Sequence, residues 1–137
     1  METDLSAVAL VAQVEPWLVR FAEVWIGWKL WLSDWTAVSH PVLHAYLGVL
    51  AQILFAAFAR RGLASWWPWL LVLALECWNE LLDWSRALAY GSAGRALAVE
   101  TAWDIVFTMA LPTVLLALAR CFPRLNGGVA APPVAGA

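Results

Sequence analysis

Residues 41–59, PVLHAYLGVLAQILFAAFA, decide the fold, because nineteen consecutive positions carry no Asp, Glu, Lys or Arg. Wound as an α-helix at about 1.5 Å per residue, they cover nearly all of a ~30 Å hydrocarbon core. The stretch reads as a transmembrane helix. Arg60 and Arg61 close it, Gly62 breaks the pattern, and Ser65 ahead of Trp66-Trp67-Pro68-Trp69 signals the start of a second helix. That helix runs over 66–84, with Glu76, Glu80 and Asp83 in its second half. The turn residues Gly91-Ser92-Ala93-Gly94 separate it from a third helix over 95–120, whose positions 105–119 are uncharged. Pro112 within that core has no N–H for the carbonyl of Thr108, which predicts a kink.

The composition agrees. The chain is 64% hydrophobic and 13% charged, whereas a soluble domain is about half apolar and about a quarter charged. Eleven Trp in 137 residues suit the membrane interface, where the indole ring is apolar and its N–H reaches water. A formal net charge of -2 without a cluster of Lys or Arg excludes nucleic acid as a partner. The opening Met1-Glu2-Thr3-Asp4 is acidic where a secretory signal is basic, so it reads as retained. Cys77 and Cys121 have no metal or disulfide spacing and read as apolar filler.

The segment 16–35 differs. As a helix it gathers Gln13, Arg20, Glu23, Gly27 and Asp34 in one sector, and Trp17, Val24, Trp28, Trp31 and Trp35 in the next. Glu15 and Lys29 fall on the far side and spoil a clean span. The expected fold is therefore an all-α membrane protein: three transmembrane helices plus this Trp-rich amphipathic helix, interfacial or a fourth span. One helical membrane domain covers 1–125, and the unpatterned tail 126–137 is expected to be disordered. Arg60, Arg61, Arg120 and Arg124 share one membrane face, which the positive-inside rule makes cytoplasmic together with the C-terminus.

Polar residues converge at the opposite end of the bundle. His40 and His44 are four apart on the first span; Glu76, Glu80 and Asp83 share one face of the second, with Asn79 beside them; Glu100 and Asp104 are four apart on the third. The candidate cluster is His44, Glu76, Asn79, Glu80, Asp83, Glu100 and Asp104. A carboxylate as deep as Glu76 must face the bundle and be paired or protonated. Imidazoles with carboxylates also suit a divalent metal such as zinc, manganese or iron, although no cofactor is specified by a motif. His40, directly before Pro41, reads as a cap or loop residue. Alternatively, Glu76, Asn79 and His44 are packing glue, while Glu80, Asp83 and Glu100 reach water or pair with Arg86 and Arg95. Gly48, Ala51 and Ala56 read as a close-packing surface.

The stretch ECWNELLD (76–83), followed by ETAWDIVFTMALP (100–112), resembles small uncharacterised bacterial membrane proteins. More distantly it is similar to the VanZ-like family, in which an acidic helix precedes an Asp and then an Asn and a Gly at steps of four. Asp104 matches the Asp; Thr108 stands at the place of the Asn and Pro112 at that of the Gly. The resemblance implies a role in the bacterial cell envelope. Two functions follow as expectations. In the first, a polytopic inner-membrane protein binds a lipid-linked or small polar ligand in its acidic and histidine cluster, with Glu76 and Asp104 as acid/base candidates for any hydrolytic or transfer chemistry. In the second, the chain is a non-enzymatic accessory subunit or a holin-like self-assembling bundle, whose partners besides the lipid bilayer are copies of itself or a membrane complex.

Overall fold

The computed structural model describes residues 15–122, which form four α-helices and, among the described residues, no strand. Gln13, Arg124, the N-terminal residues 1–4 and the tail 126–137 lie outside the described residues. Helix α1 is Pro16–Thr36, α2 is His40–Phe58, α3 is Trp66–Ala89 and α4 is Arg95–Cys121.

Local chemistry sets the ends. Pro16 opens α1, where its missing N–H costs nothing and its fixed φ suits the first turn. That helix stops at Ala37, whose φ of 53° turns the chain, while Ser33 Oγ donates to the carbonyl of Val38 at 3.0 Å. His40 already lies in α2, one residue earlier than expected, because Ser39 takes the cap position and Pro41 fits the first turn. Ser65 caps α3 by accepting the N–H of Trp67 at 3.4 Å. Helix α3 continues five residues past position 84 before Tyr90 and the left-handed Gly91 (φ 65°) end it. Helix α4 runs through Pro112 without interruption.

Paired contacts give the topology. His44 meets Thr108, and His40 lies beside Asp104, so α2 and α4 run side by side in the same direction. Trp69 Nε1 donates to Thr113 Oγ1 at 3.0 Å, Trp84 Nε1 to Thr101 Oγ1 at 3.0 Å, and Arg120 Nε to the carbonyl of Ala64 at 3.0 Å. Helix α3 is therefore antiparallel to both. Helix α1 packs mainly on α3, through a stripe at Ala22, Trp25, Ile26 and Lys29.

Lys29 lies, as expected, on the side of α1 away from the indoles, and that side turns out to be the one packed on the bundle. The side chain reaches α3 and binds Asn79 and Asp83 there, so it anchors α1 rather than interrupting it. A helical wheel orders residues around an axis; only the neighbouring helix defines which sector is inward.

Among the described residues the interior is as much polar as apolar, and the exterior is largely apolar. Buried side chains include His44, Gln52, Glu76, Asn79, Glu80, Ser85, Asp104 and Thr108, as many as the buried hydrophobic ones. Leu47, Leu50, Ile53 and Phe58 of α2, and Val106, Leu111, Val114 and Leu118 of α4, point outward. Helices α2 and α4 are long and apolar enough to cross a membrane. A core helix of a soluble protein would be mostly buried, whereas the apolar windows of α2 and α4 are 22% and 33% buried. On α1, Trp17, Val24, Trp28, Trp31 and Trp35 are exposed, with Trp31 and Trp35 stacked at 5.9 Å and Trp28 edge-on to Trp31 at 5.5 Å.

Gly48 allows the tightest approach. A Cβ built on it would lie 2.3 Å from the carbonyl oxygen of Thr108. This is the carbonyl that Pro112 deprives of its helical donor, so a Cα hydrogen of Gly48 points at an oxygen with unused acceptor capacity. Gly48 and Ala56 are buried on this face and Ala51 is half-buried beside them.

Candidate functional site

All four helices contribute side chains to one polar region, which holds two separately bonded branches. On α2, the four-residue step puts His40 and His44 on the same face, with ring centroids 4.6 Å apart. The same step on α4 aligns Asp104 with Thr108. His44 sits at the centre: its Nδ1 lies 2.8 Å from Thr108 Oγ1 and 3.1 Å from Glu76 Oε1. In a neutral imidazole, Nδ1–H donating to the Glu76 carboxylate leaves the proton on Nδ1. In that tautomer Nε2 carries the lone pair, and this nitrogen lies 4.0 Å from Asp104 Oδ2. The other oxygen, Asp104 Oδ1, lies 3.9 Å from His40 Nδ1.

A second branch ties α1 to α3. Lys29 Nζ donates to Asp83 Oδ2 at 2.8 Å and to Asn79 Oδ1 at 3.1 Å. Trp25 Nε1 donates to the same Asn79 oxygen at 2.9 Å, and Asn79 Nδ2 donates to Glu80 Oε1 at 3.1 Å. Both lone pairs of the amide oxygen and one N–H of Asn79 are thereby in use. Asn79 joins the Lys29 ammonium to the buried Glu80 carboxylate.

The network divides two cavities. On one side an open cleft of about 590 Å³ is lined by His40, Glu80, Asp83, Glu100 and Asp104, with Ile26 and Leu97 among its apolar wall. On the other, a mostly apolar pocket of about 310 Å³ is bounded by Leu47, Leu54, Val72, Leu75 and the inner faces of His44 and Glu76. Asp104 faces the cleft; Glu76 faces the apolar pocket.

Of the residues expected in the cluster, the structure brings together His44, Glu76, Asn79, Glu80 and Asp104, all buried, with Asp83 half-buried beside them. Glu100 is exposed at the cleft rim and joins no hydrogen bond of the network among the described residues. Arg86 and Arg95 do not pair with these acids among the described residues; Arg86 lies over the Tyr90 ring at 5.5 Å, and Lys29 is the cation that reaches Asp83. His40 is no mere cap, since it shares Asp104 with His44. Thr108, Trp25, Lys29 and His40 were not in the expected set. For His40 and Thr108 the signal was present, each being one helical turn from a cluster residue; for Trp25 and Lys29 it needed the partner helix.

Two further groups stand apart. Gln52 is fully buried and neither its Nε2 nor its Oε1 has a hydrogen-bond partner. In the turn after α3, the Tyr90 hydroxyl donates to Glu23, and that carboxylate, as acceptor and as nearby charge, holds the phenol above its usual range.

No family model, curated protein or solved structure matches the chain. The site's geometry therefore carries the functional reading.

Proposed function

We propose that the chain is a three-span protein of the bacterial inner membrane whose polar cleft holds the headgroup of a lipid-linked or small polar ligand. In this reading α2, α3 and α4 cross the bilayer and α1 lies along its surface. The 24 residues of α3 give about 36 Å of helix, enough for the core, and its acids face inward, where charges in a membrane helix belong. Arg60, Arg61 and Arg120 share the end away from the cleft, which supports a cytoplasmic location for that end and an outward-facing cleft. The exposed indoles of α1 suit the interface.

The convergence of polar and charged side chains from all four helices on one open cleft, inside a bundle with an apolar exterior, carries the proposal. Asp104 and Glu100 on its wall offer acceptors, and Ile26, Leu30 and Leu97 offer an apolar path for the part of an amphiphile nearest its headgroup. The VanZ-like resemblance adds the envelope as the setting. Native mass spectrometry of protein extracted in mild detergent without chelator tests it. Wild type should retain a lipid or polar adduct that Asp104→Asn and Glu100→Gln lose while remaining folded. A bare wild type, or an adduct indifferent to both substitutions, refutes the reading.

The row Trp28, Trp31 and Trp35, with a shallow groove between Val24, Gly27, Trp28 and Trp31, favours a second reading as an accessory subunit docking through α1. That reading predicts a partner or defined oligomer lost on Trp28→Ala or Trp31→Ala.

A further inference from the structure

The geometry points to a divalent transition-metal site of the zinc type, held by His40 Nδ1, His44 Nε2 and the Asp104 carboxylate at the floor of the cleft. The three side chains each offer a ligand atom, and these atoms lie within 4.8 Å of one another. The two Asp104 oxygens are 3.9 Å and 4.0 Å from His40 Nδ1 and His44 Nε2. Around a tetrahedral zinc with bonds of about 2.0 Å, ligand atoms stand about 3.3 Å apart. Closing the triad on an ion thus needs side-chain shifts of about half an ångström to one ångström, within the freedom of a half-exposed His40.

Three independent features support an ion rather than a hydrogen-bonded packing cluster. The first is the orientation of His44: Glu76 and Thr108 engage Nδ1 and leave Nε2 aimed at Asp104. A carboxylate on the distal ring nitrogen is how metal-bound histidines are oriented and made more basic. The second is Asp104, whose side chain is 9% exposed and which makes no hydrogen bond among the described residues, its polar neighbours being the two imidazoles. A buried carboxylate without donors is costly unless a cation completes it. The third is charge: Lys29 is already engaged by Asp83 and Arg86 by the Tyr90 ring, while Glu76, Glu80 and Asp104 are all buried around His44. A dication would offset that excess of carboxylates.

Two imidazoles and one carboxylate, with the remaining position open, are the donor set of a zinc that meets a ligand rather than of a closed structural site. The open position faces the cleft, with Glu80 and Glu100 on its wall. It suits an oxygen donor such as water, a carboxylate or a phosphate headgroup. The inference rests on the cleft being the ligand site proposed above, and it adds the group that would bind an anionic head there.

The test is titration of EDTA-stripped protein in mild detergent with Co²⁺, then Zn²⁺. Wild type should take up one equivalent of Co²⁺, with visible bands of a four- or five-coordinate ion that Zn²⁺ abolishes. His40→Ala and Asp104→Asn should each weaken binding at least about tenfold, and Glu76→Gln about 10–100-fold through loss of the His44 brace. Asp34→Asn, exposed on α1, should bind as wild type. His40 is the most accessible of the three ligands, so lost binding in His40→Ala with unchanged tryptophan fluorescence separates ligation from folding. Absence of stoichiometric uptake in wild type, or wild-type affinity in both His40→Ala and Asp104→Asn, overturns the site. An adduct on a protein that takes up no metal would sink the metal alone; metal uptake without any adduct would sink the headgroup reading alone.

Discussion

Replacing Gly48 by Ala tests the helix contact on which the whole site depends. The new Cβ would stand 2.3 Å from the Thr108 carbonyl oxygen, 3.2 Å from its carbonyl carbon and 3.2 Å from its Cγ2. A carbon and a carbonyl oxygen rest no closer than about 3.3 Å, so α2 and α4 must separate by about 1 Å. The oxygen belongs to the backbone of a helix and cannot swing away. A separation of that size stretches the 2.8 Å contact between His44 Nδ1 and Thr108 Oγ1 beyond hydrogen-bond range, at about 1 kcal/mol. Overpacking adds about 1–3 kcal/mol, for a total of about 2–4 kcal/mol. Thermal unfolding in detergent, followed by tryptophan fluorescence, should show a midpoint lower by roughly 5–15 °C. Thr108→Ser, which removes only Cγ2, should not rescue it. Gly27→Ala is the matched control: nothing lies within 4 Å of the added Cβ, and helix propensity should stabilise it by roughly 0.5–1 kcal/mol. If Gly48→Ala melts with or above Gly27→Ala, the close approach is not as described and the geometry of the His44 centre falls with it.

Lys29→Met should cost about 1–3 kcal/mol by leaving the Asp83 carboxylate without its cation, and the double variant Lys29→Met/Asp83→Leu should recover most of that; additive losses in a double-mutant thermal cycle would show that α1 is not held by this pair. Gln52→Met should raise the melting midpoint, since it removes two orphan polar atoms worth about 1–3 kcal/mol in a site of similar volume; a lower midpoint means the amide has a partner. For the membrane arrangement, Gly62→Cys and Ser92→Cys, each placed in a chain with Cys77 and Cys121 changed to Ser, should react with an impermeant maleimide from opposite sides. Labelling from one side alone would show that α3 does not span.

Much of the architecture is legible in residue order because hydrocarbon imposes a simple demand. A helix facing lipid must be apolar over its length, so the uncharged residues 41–59 and 105–119 mark α2 and α4 directly, and Arg60, Gly62, Ser65 and Gly91 mark the breaks. Spacing by four likewise aligns His40 with His44 and Asp104 with Thr108 before any packing is known. Antiparallel connection then places Glu76, Glu80 and Asp104 near one end. What residue order leaves undetermined is which of these groups meet, because that depends on helix rotation and on distances of an ångström. Lys29 is the clearest example: on an isolated wheel it interrupts an interfacial helix, whereas against α3 it neutralises Asp83. Thr108 is another, since its hydroxyl reaches His44 only because Gly48 lets the two backbones touch. Residue order thus sets the helices and the end of the bundle where charge collects. The tertiary structure alone decided that His44 is braced on one nitrogen and open on the other, because rotation and close approach of three helices are properties of their packing and not of any one of them.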